Sequence, residues 1–189
     1  VAEEKPKLYQ GGRDMFLSLG AIIIVMVLSV GFTGMCSFNK DTAENGPVRE
    51  VDPDTFIEIE SGAMNFPLHM PDMPEDWVPN SARRTSIAGE PAPAIGWVVR
   101  KDAYVQLVQT GVEAQEAVKG FDEHPREEEG SRKVGDITVT TYGSDERDVR
   151  PVMVADLGSS RLLVSGAASQ EDFDAVIKAT AEAPVVGKN

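Results

Sequence analysis

The chain has 189 residues, with 31 Asp and Glu against 18 Lys and Arg, a formal net charge of −13 at pH 7 and one cysteine. So acidic a surface repels nucleic acid, whose binding depends on neutralising phosphates with Lys and Arg. A lone cysteine, Cys36, excludes an internal disulfide and a Cys-x-x-Cys-His haem attachment.

Residues 1–14 hold equal numbers of acidic and basic side chains, and no charge follows between Asp14 and Lys40. As a helix, residues 15–36 would extend about 33 Å, which matches a bilayer core. A cleavable signal has a shorter apolar region, closed by small residues at a cleavage site. Nothing like Ala-x-Ala follows here. In Thr33-Gly34-Met35-Cys36 the bulky Met35 precedes the cysteine, where a bacterial lipobox takes Gly or Ala, so Cys36 reads as a small apolar residue at the outer end of the helix. These features predict a retained single-pass anchor over 15–36. Lys5, Lys7 and Arg13 precede it and a largely acidic stretch follows, which puts residues 1–14 in the cytoplasm and the rest outside the cell membrane. Ser29 and Thr33, four apart, with Gly31 and Gly34 beside them, form a small-residue surface suited to packing against another membrane helix. Glycines that simply face lipid are the alternative.

Residues 37–51 are polar and broken by Asn45-Gly46-Pro47, which predicts a tether. A single extracytoplasmic domain is expected over 52–189, long enough to bury one core. Asp52-Pro53 is an N-cap followed by Pro at the first helical position, and Phe56, Ile59 and Ala63 recur at helical spacing. Between 66 and 93 six prolines fall among apolar residues, so this stretch reads as extended, loop-like backbone with edge strands. Residues 94–99 and 104–109 form a hairpin pattern about Arg100-Lys101-Asp102-Ala103. A short helix is expected within 111–120, followed by a charged, solvated loop over 124–132 that contains Glu127-Glu128-Glu129.

Ile137, Val139 and Thr141 alternate with Thr138, Thr140 and Tyr142, the pattern of a half-buried strand. Residues 152–155 and 162–164 are apolar on both faces and read as central strands. Ser169 stands three before Asp172 in a capping-box arrangement, and Phe173, Val176, Ile177 and Thr180 form the stripe of a closing amphipathic helix. The fold class expected is α+β: one transmembrane helix, then an antiparallel sheet of five or six strands with packed helices.

No catalytic constellation emerges. His69 and His124 have no cysteine or second histidine near them in the sequence, so they do not read as a zinc or copper site. The carboxylates of residues 144–148 lack calcium-loop spacing, and Arg147 among them suggests local ion pairing. No Gly-x-Ser-x-Gly elbow, phosphate-binding loop or dinucleotide fingerprint occurs. The chain is therefore read as no enzyme, with no cofactor and no metal.

The phrases Gly11-Gly12-Arg13-Asp14-Met15, Cys36-Ser37-Phe38-Asn39, Glu44-Asn45-Gly46-Pro47-Val48, Trp77-Val78-Pro79-Asn80-Ser81-Ala82-Arg83-Arg84, Tyr104-Val105-Gln106-Leu107 and Val154-Ala155-Asp156-Leu157-Gly158, with Arg161-Leu162-Leu163-Val164, occur together. In combination they resemble an actinobacterial family of single-pass membrane proteins classed only as a domain of unknown function. At least one corynebacterial member of that family looks like an accessory subunit of the respiratory supercomplex that joins a cytochrome bc-type complex III to a haem-copper oxidase, complex IV. The resemblance implies a non-catalytic subunit that braces such an electron-transfer assembly on its outer face. It supplies no site residues. Trp77, Arg83 and Arg84, basic and aromatic in an acidic domain, are the partner contacts expected from the residues themselves. A membrane-tethered envelope enzyme or ligand-binding module is the competing expectation, with the Pro-rich aromatic loop lining a cleft.

Overall fold

Outside the apolar N-terminal helix, runs of β-branched and aromatic residues separated by Gly, Asp and Ser dictate a sheet-based architecture. The computed structural model describes residues 12–32 and 50–187, which fall in two units, Val1–Pro47 and Val48–Asn189.

In the first unit, α1 (Gly12–Phe32) is a helix in which every described residue from 15 to 29 other than Gly20 is exposed. Among the described residues no helix is long and apolar enough to cross a membrane. The anchor expected over 15–36 is therefore not shown by the structure. Ser29 lies on the exposed helix surface and Gly31 within α1, whereas Thr33, Gly34 and Cys36 fall outside the described residues.

The second unit begins with α2 (Pro53–Ser61). Asp52 caps it, accepting a hydrogen bond from the Thr55 amide at 3.1 Å, and Pro53 opens the first turn. The buried positions are Pro53, Ile57 and Glu60, four and three residues apart. The expected stripe is thus displaced: Ile59 is 67% exposed, and Ala63 lies beyond the helix. The two-residue strand β1 (Leu68–His69) follows, then β2 (Trp77–Ile87), β3 (Glu90–Val99) and β4 (Ala103–Thr110), a meander. The Pro-rich stretch is more regular than expected. Pro79 sits at a bulge in edge strand β2, and Pro91 and Pro93 lie where β3 extends past β4, whose pairing begins at Ala94. With no neighbour on that side, their missing N–H groups cost no ladder bond.

After α3 (Ala114–Lys119) the chain crosses to the opposite edge and returns through β5 (Glu127–Val134), β6 (Ile137–Gly143), β7 (Val152–Asp156) and β8 (Arg161–Ala167). The result is one antiparallel seven-stranded sheet, ordered β2-β3-β4-β8-β7-β6-β5, in place of the five or six strands expected. The charged loop expected over 124–132 is likewise a strand from Glu127 onward. As β5 it forms the outer edge, where exposed carboxylates guard against strand addition. Helix α4 (Gln170–Glu182) carries the expected capping box of Ser169 and Asp172. It does not end the fold, because β9 (Val185–Val186) pairs with β1.

The sheet buries two unequal faces. On the first, Ile95, Trp97, Val105, Leu107, Leu162 and Val164 pack under α2, α4 and the β1–β9 pair. Gln109, 1% exposed, extends the ladder to β1: its Nε2 donates to the His69 carbonyl at 2.6 Å and its Oε1 accepts from the His69 amide at 2.9 Å. On the second face Ala94, Val108, Val154 and Leu163 pack with Ala117 and Val118 of α3. That six-residue helix covers only one end of the sheet.

Candidate partner interface

β2 carries all three expected contact residues, and a bulge separates their fates. Side chains alternate between faces along a strand, so one extra residue reverses the pattern. Trp77 and Pro79 lie opposite Val99 and Trp97, on the first face; the register then shifts between Pro79 and Ser81, and Ala82 and Arg84 come to lie opposite Ile95 and Pro93. Trp77 is 6% exposed and belongs to the core, which corrects its expected role as a surface contact. Arg84 also turns inward, to α2, where Nε and Nη2 meet the Glu60 carboxylate at 2.7 and 3.0 Å. Glu60 is nearly buried and Arg84 half in solvent. The paired carboxylate raises the Arg84 pKa, first through the hydrogen bond and then through its charge. Arg84 is thus a structural cation, a role its sequence position did not signal.

Arg83 alone reaches the second face. There, beyond the cover of α3, a concavity of about 370 Å³ is lined by Arg83, Thr85, Tyr104, Gln106, Phe121, Arg150, Ser165, Gly166 and Ala167. Tyr104 lies flat across the sheet: a Cβ on Gly96 would overlap its hydroxyl, which stands 3.4 Å from Ser81 Oγ. Arg83 Nη2 donates to Gln106 Oε1 at 3.3 Å. Neither Arg83 nor Arg150 has a carboxylate partner among the described residues.

The part of the lining formed by Phe121 and Arg150 is fixed by Arg126, whose side chain is almost wholly buried. It donates to Asp122 Oδ2 at 2.8 Å and to the Arg150 carbonyl at 3.2 Å, and it stacks 5.6 Å over the Phe121 ring. The same hydrogen bonding holds the Asp122 carboxyl below its ordinary pKa. Arg126 falls within the solvated loop expected over 124–132, an expectation that does not include this anchor. The local signal was the four-residue spacing of Asp122 and Arg126.

A second depression, about 680 Å³, lies at the rim of the first face, where Met70, Met73 and Trp77 meet Glu50, Asp54 and Asp72. Elsewhere, among the described residues, Arg147 lacks the ion pair expected of it, and His124 Nδ1 contacts Glu146 at 2.7 Å. Among the described residues no group of three or more His, Cys, Asp or Glu side chains is placed to hold a metal ion.

The model of a family described as "Protein of unknown function (DUF4245)" matches residues 7–180. The chain belongs to the DUF4245 family. Because the match takes in both α1 and nearly all of the sheet domain, the two units are joint features of a DUF4245 protein. No curated protein and no solved structure matches the chain.

Proposed function

We propose that this DUF4245 protein is a non-catalytic accessory subunit, anchored by a span over residues 15–36, that binds a larger membrane complex on its outer face. The observation that carries the reading is the apolar surface of α1: Met15, Phe16, Leu17, Leu19, Ile22, Ile23, Ile24, Val25, Met26, Val27 and Leu28 are each at least half exposed. So continuous an apolar surface calls for lipid or partner helices around it. The absence of charge between Asp14 and Lys40 extends the apolar stretch through the outer end of the proposed span. The resemblance noted above makes the subunits of respiratory complexes III and IV the partners to test first.

Alkaline carbonate should leave the chain in the membrane fraction, and protease added to intact spheroplasts should digest the sheet domain. Extraction by carbonate removes the anchor from the reading. Purification of tagged protein in mild detergent, followed by mass spectrometry, should recover cytochrome subunits; a micelle-bound protein that brings none removes the respiratory assignment. A ligand-binding module of the envelope is the second reading, supported by the depression beside Met70, Met73 and Trp77. Soaking or titration with small amphiphiles that perturbs Trp77 would favour it.

A further inference from the structure

The uncovered end of the second sheet face departs from the rest of the molecule in charge. The chain carries a net charge of −13, yet among the described residues the concavity over β2, β4 and β8 is lined by two arginines and no carboxylate. In a chain so rich in Asp and Glu, two guanidiniums that pair with no carboxylate among the described residues mark a place where negative charge is received from outside. We propose that this concavity docks an acidic, extended segment of a partner polypeptide, whose carboxylates pair with Arg83 and Arg150.

Three features of the site select that occupant. Arg83 lies on β2 and Arg150 in the connection before β7, elements with β3, β4 and β8 between them in the sheet order, so the two cations come from well-separated parts of the fold. Between them Gln106, Tyr104, Ser165 and Thr85 provide donors and acceptors, the mixed set that a peptide backbone requires. The site is also open. A small-molecule pocket encloses most of its ligand, whereas an open sheet face with charged rims suits a strand-like segment lying across it. Two cations on a chain of this net charge do not sustain binding to a nucleic-acid backbone or an anionic lipid surface, both of which depend on summed charge.

The site is prepared in advance. Arg126 donates to the Arg150 carbonyl and stacks over the Phe121 ring, and Tyr104 is laid flat over Gly96, so much of the lining is in place before a partner arrives. Little ordering is left to oppose binding.

This assignment rests on the reading of the protein as a partner-binding subunit and names the chemistry of the partner's docking segment. The test uses the full chain in neutral-detergent micelles, titrated with acetyl-hexaglutamate amide while the arginine Nε–H and Gln106 side-chain signals are followed by NMR. The signals of Arg83, Arg150 and Gln106 should move together, and added salt should weaken the binding. Replacing both cations, Arg83→Gln with Arg150→Gln, should reduce affinity about tenfold, as expected for the loss of two partly exposed ion pairs. Lys133→Gln, at the far edge of the sheet, should leave it unchanged. Hexaglutamate that moves none of these signals, or binding that survives the double replacement, overturns the proposal. So does inorganic phosphate bound at the site more tightly than the peptide, which would make it a small-anion site. Loss of the anchor or of partner recovery in the experiments above would leave this titration standing, and a silent titration would leave the anchor standing.

Discussion

Arg83 and Arg84 are consecutive on β2 and project from opposite faces of the sheet, one to Gln106 on the open face, the other to the buried carboxylate of Glu60. Their replacement should separate accordingly. Arg84→Ala strands Glu60 in a nearly dry site, and an unmet buried acceptor costs about 1–3 kcal/mol, so the thermal midpoint should fall by several degrees. Arg83→Ala should leave the midpoint unchanged within error. Paired melts by circular dichroism check both; equal midpoints would contradict the facing of the two side chains.

Acid should weaken the domain through Asp172. Its carboxyl accepts two hydrogen bonds from Arg100, at 2.8 and 2.9 Å, and further bonds from Ser169, which together lower its pKa to about 2 against the opposing effect of burial. A folded-state pKa below the unfolded value of about 3.9 means that the stabilisation is fully present above about pH 5. It is lost as the pH falls through 4 toward 2. Because Arg100 is half in solvent, the contribution is about 1–2 kcal/mol, less than the full shift implies. Asp172→Asn should lower stability at neutral pH by that amount and flatten the acid limb. The limb should not vanish, since Asp122 keeps a lowered pKa of its own. Denaturant melts between pH 2 and 7 measure the difference.

Gly166 of β8 has no room for a side chain against β4. Its φ is +153°, and a Cβ there would overlap the Tyr104 carbonyl oxygen, a backbone atom that cannot step aside. Gly166→Ala should therefore cost about 2 kcal/mol or more, by strain and by parting the central strand pair. The same overpacking would move Tyr104, which lines the docking concavity, so reduced hexaglutamate binding should accompany the loss of stability. An alanine variant as stable as the parent would show that the strands tolerate separation here.

Gln109 should behave as a backbone clamp. Gln109→Leu keeps the volume but leaves the His69 amide and carbonyl without partners beneath the β1–β9 pair. The expected cost is about 1–3 kcal/mol. Amide exchange should rise first at Leu68 and His69. Exchange that rises evenly over the whole sheet would indicate a global loss instead.

What was legible in the sequence was local. The capping box of Ser169 and Asp172, the Asp52-Pro53 helix start and the hairpin about residues 100–103 each depend on residues a few positions apart, and each appears where expected. Residues 152–155 and 162–164 read as central strands because apolar side chains on both faces have no other stable placement, and β7 and β8 do lie within the sheet. Membership of a family of unknown function was legible as well, through phrases scattered from Gly11 to Val164.

The rest was decided by pairing between distant segments. A strand such as β5 is held by its ladder with β6 and shows no alternation of its own, so Glu127-Glu128-Glu129 read as a loop. Nothing in the local spelling of β2 announces the bulge that turns Arg84 to α2 and Arg83 to the open face. It follows from the register with β3, which also carries Trp77 into the core. The sequence alone thus determined composition, charge, helix caps and the apolar N-terminal stretch, because short-range stereochemistry and hydropathy are properties of neighbouring residues. Only the tertiary structure decided which cations were spent on internal carboxylates and which were left facing outward, because a side chain's partner across a sheet is set by register, and register is a property of the whole fold.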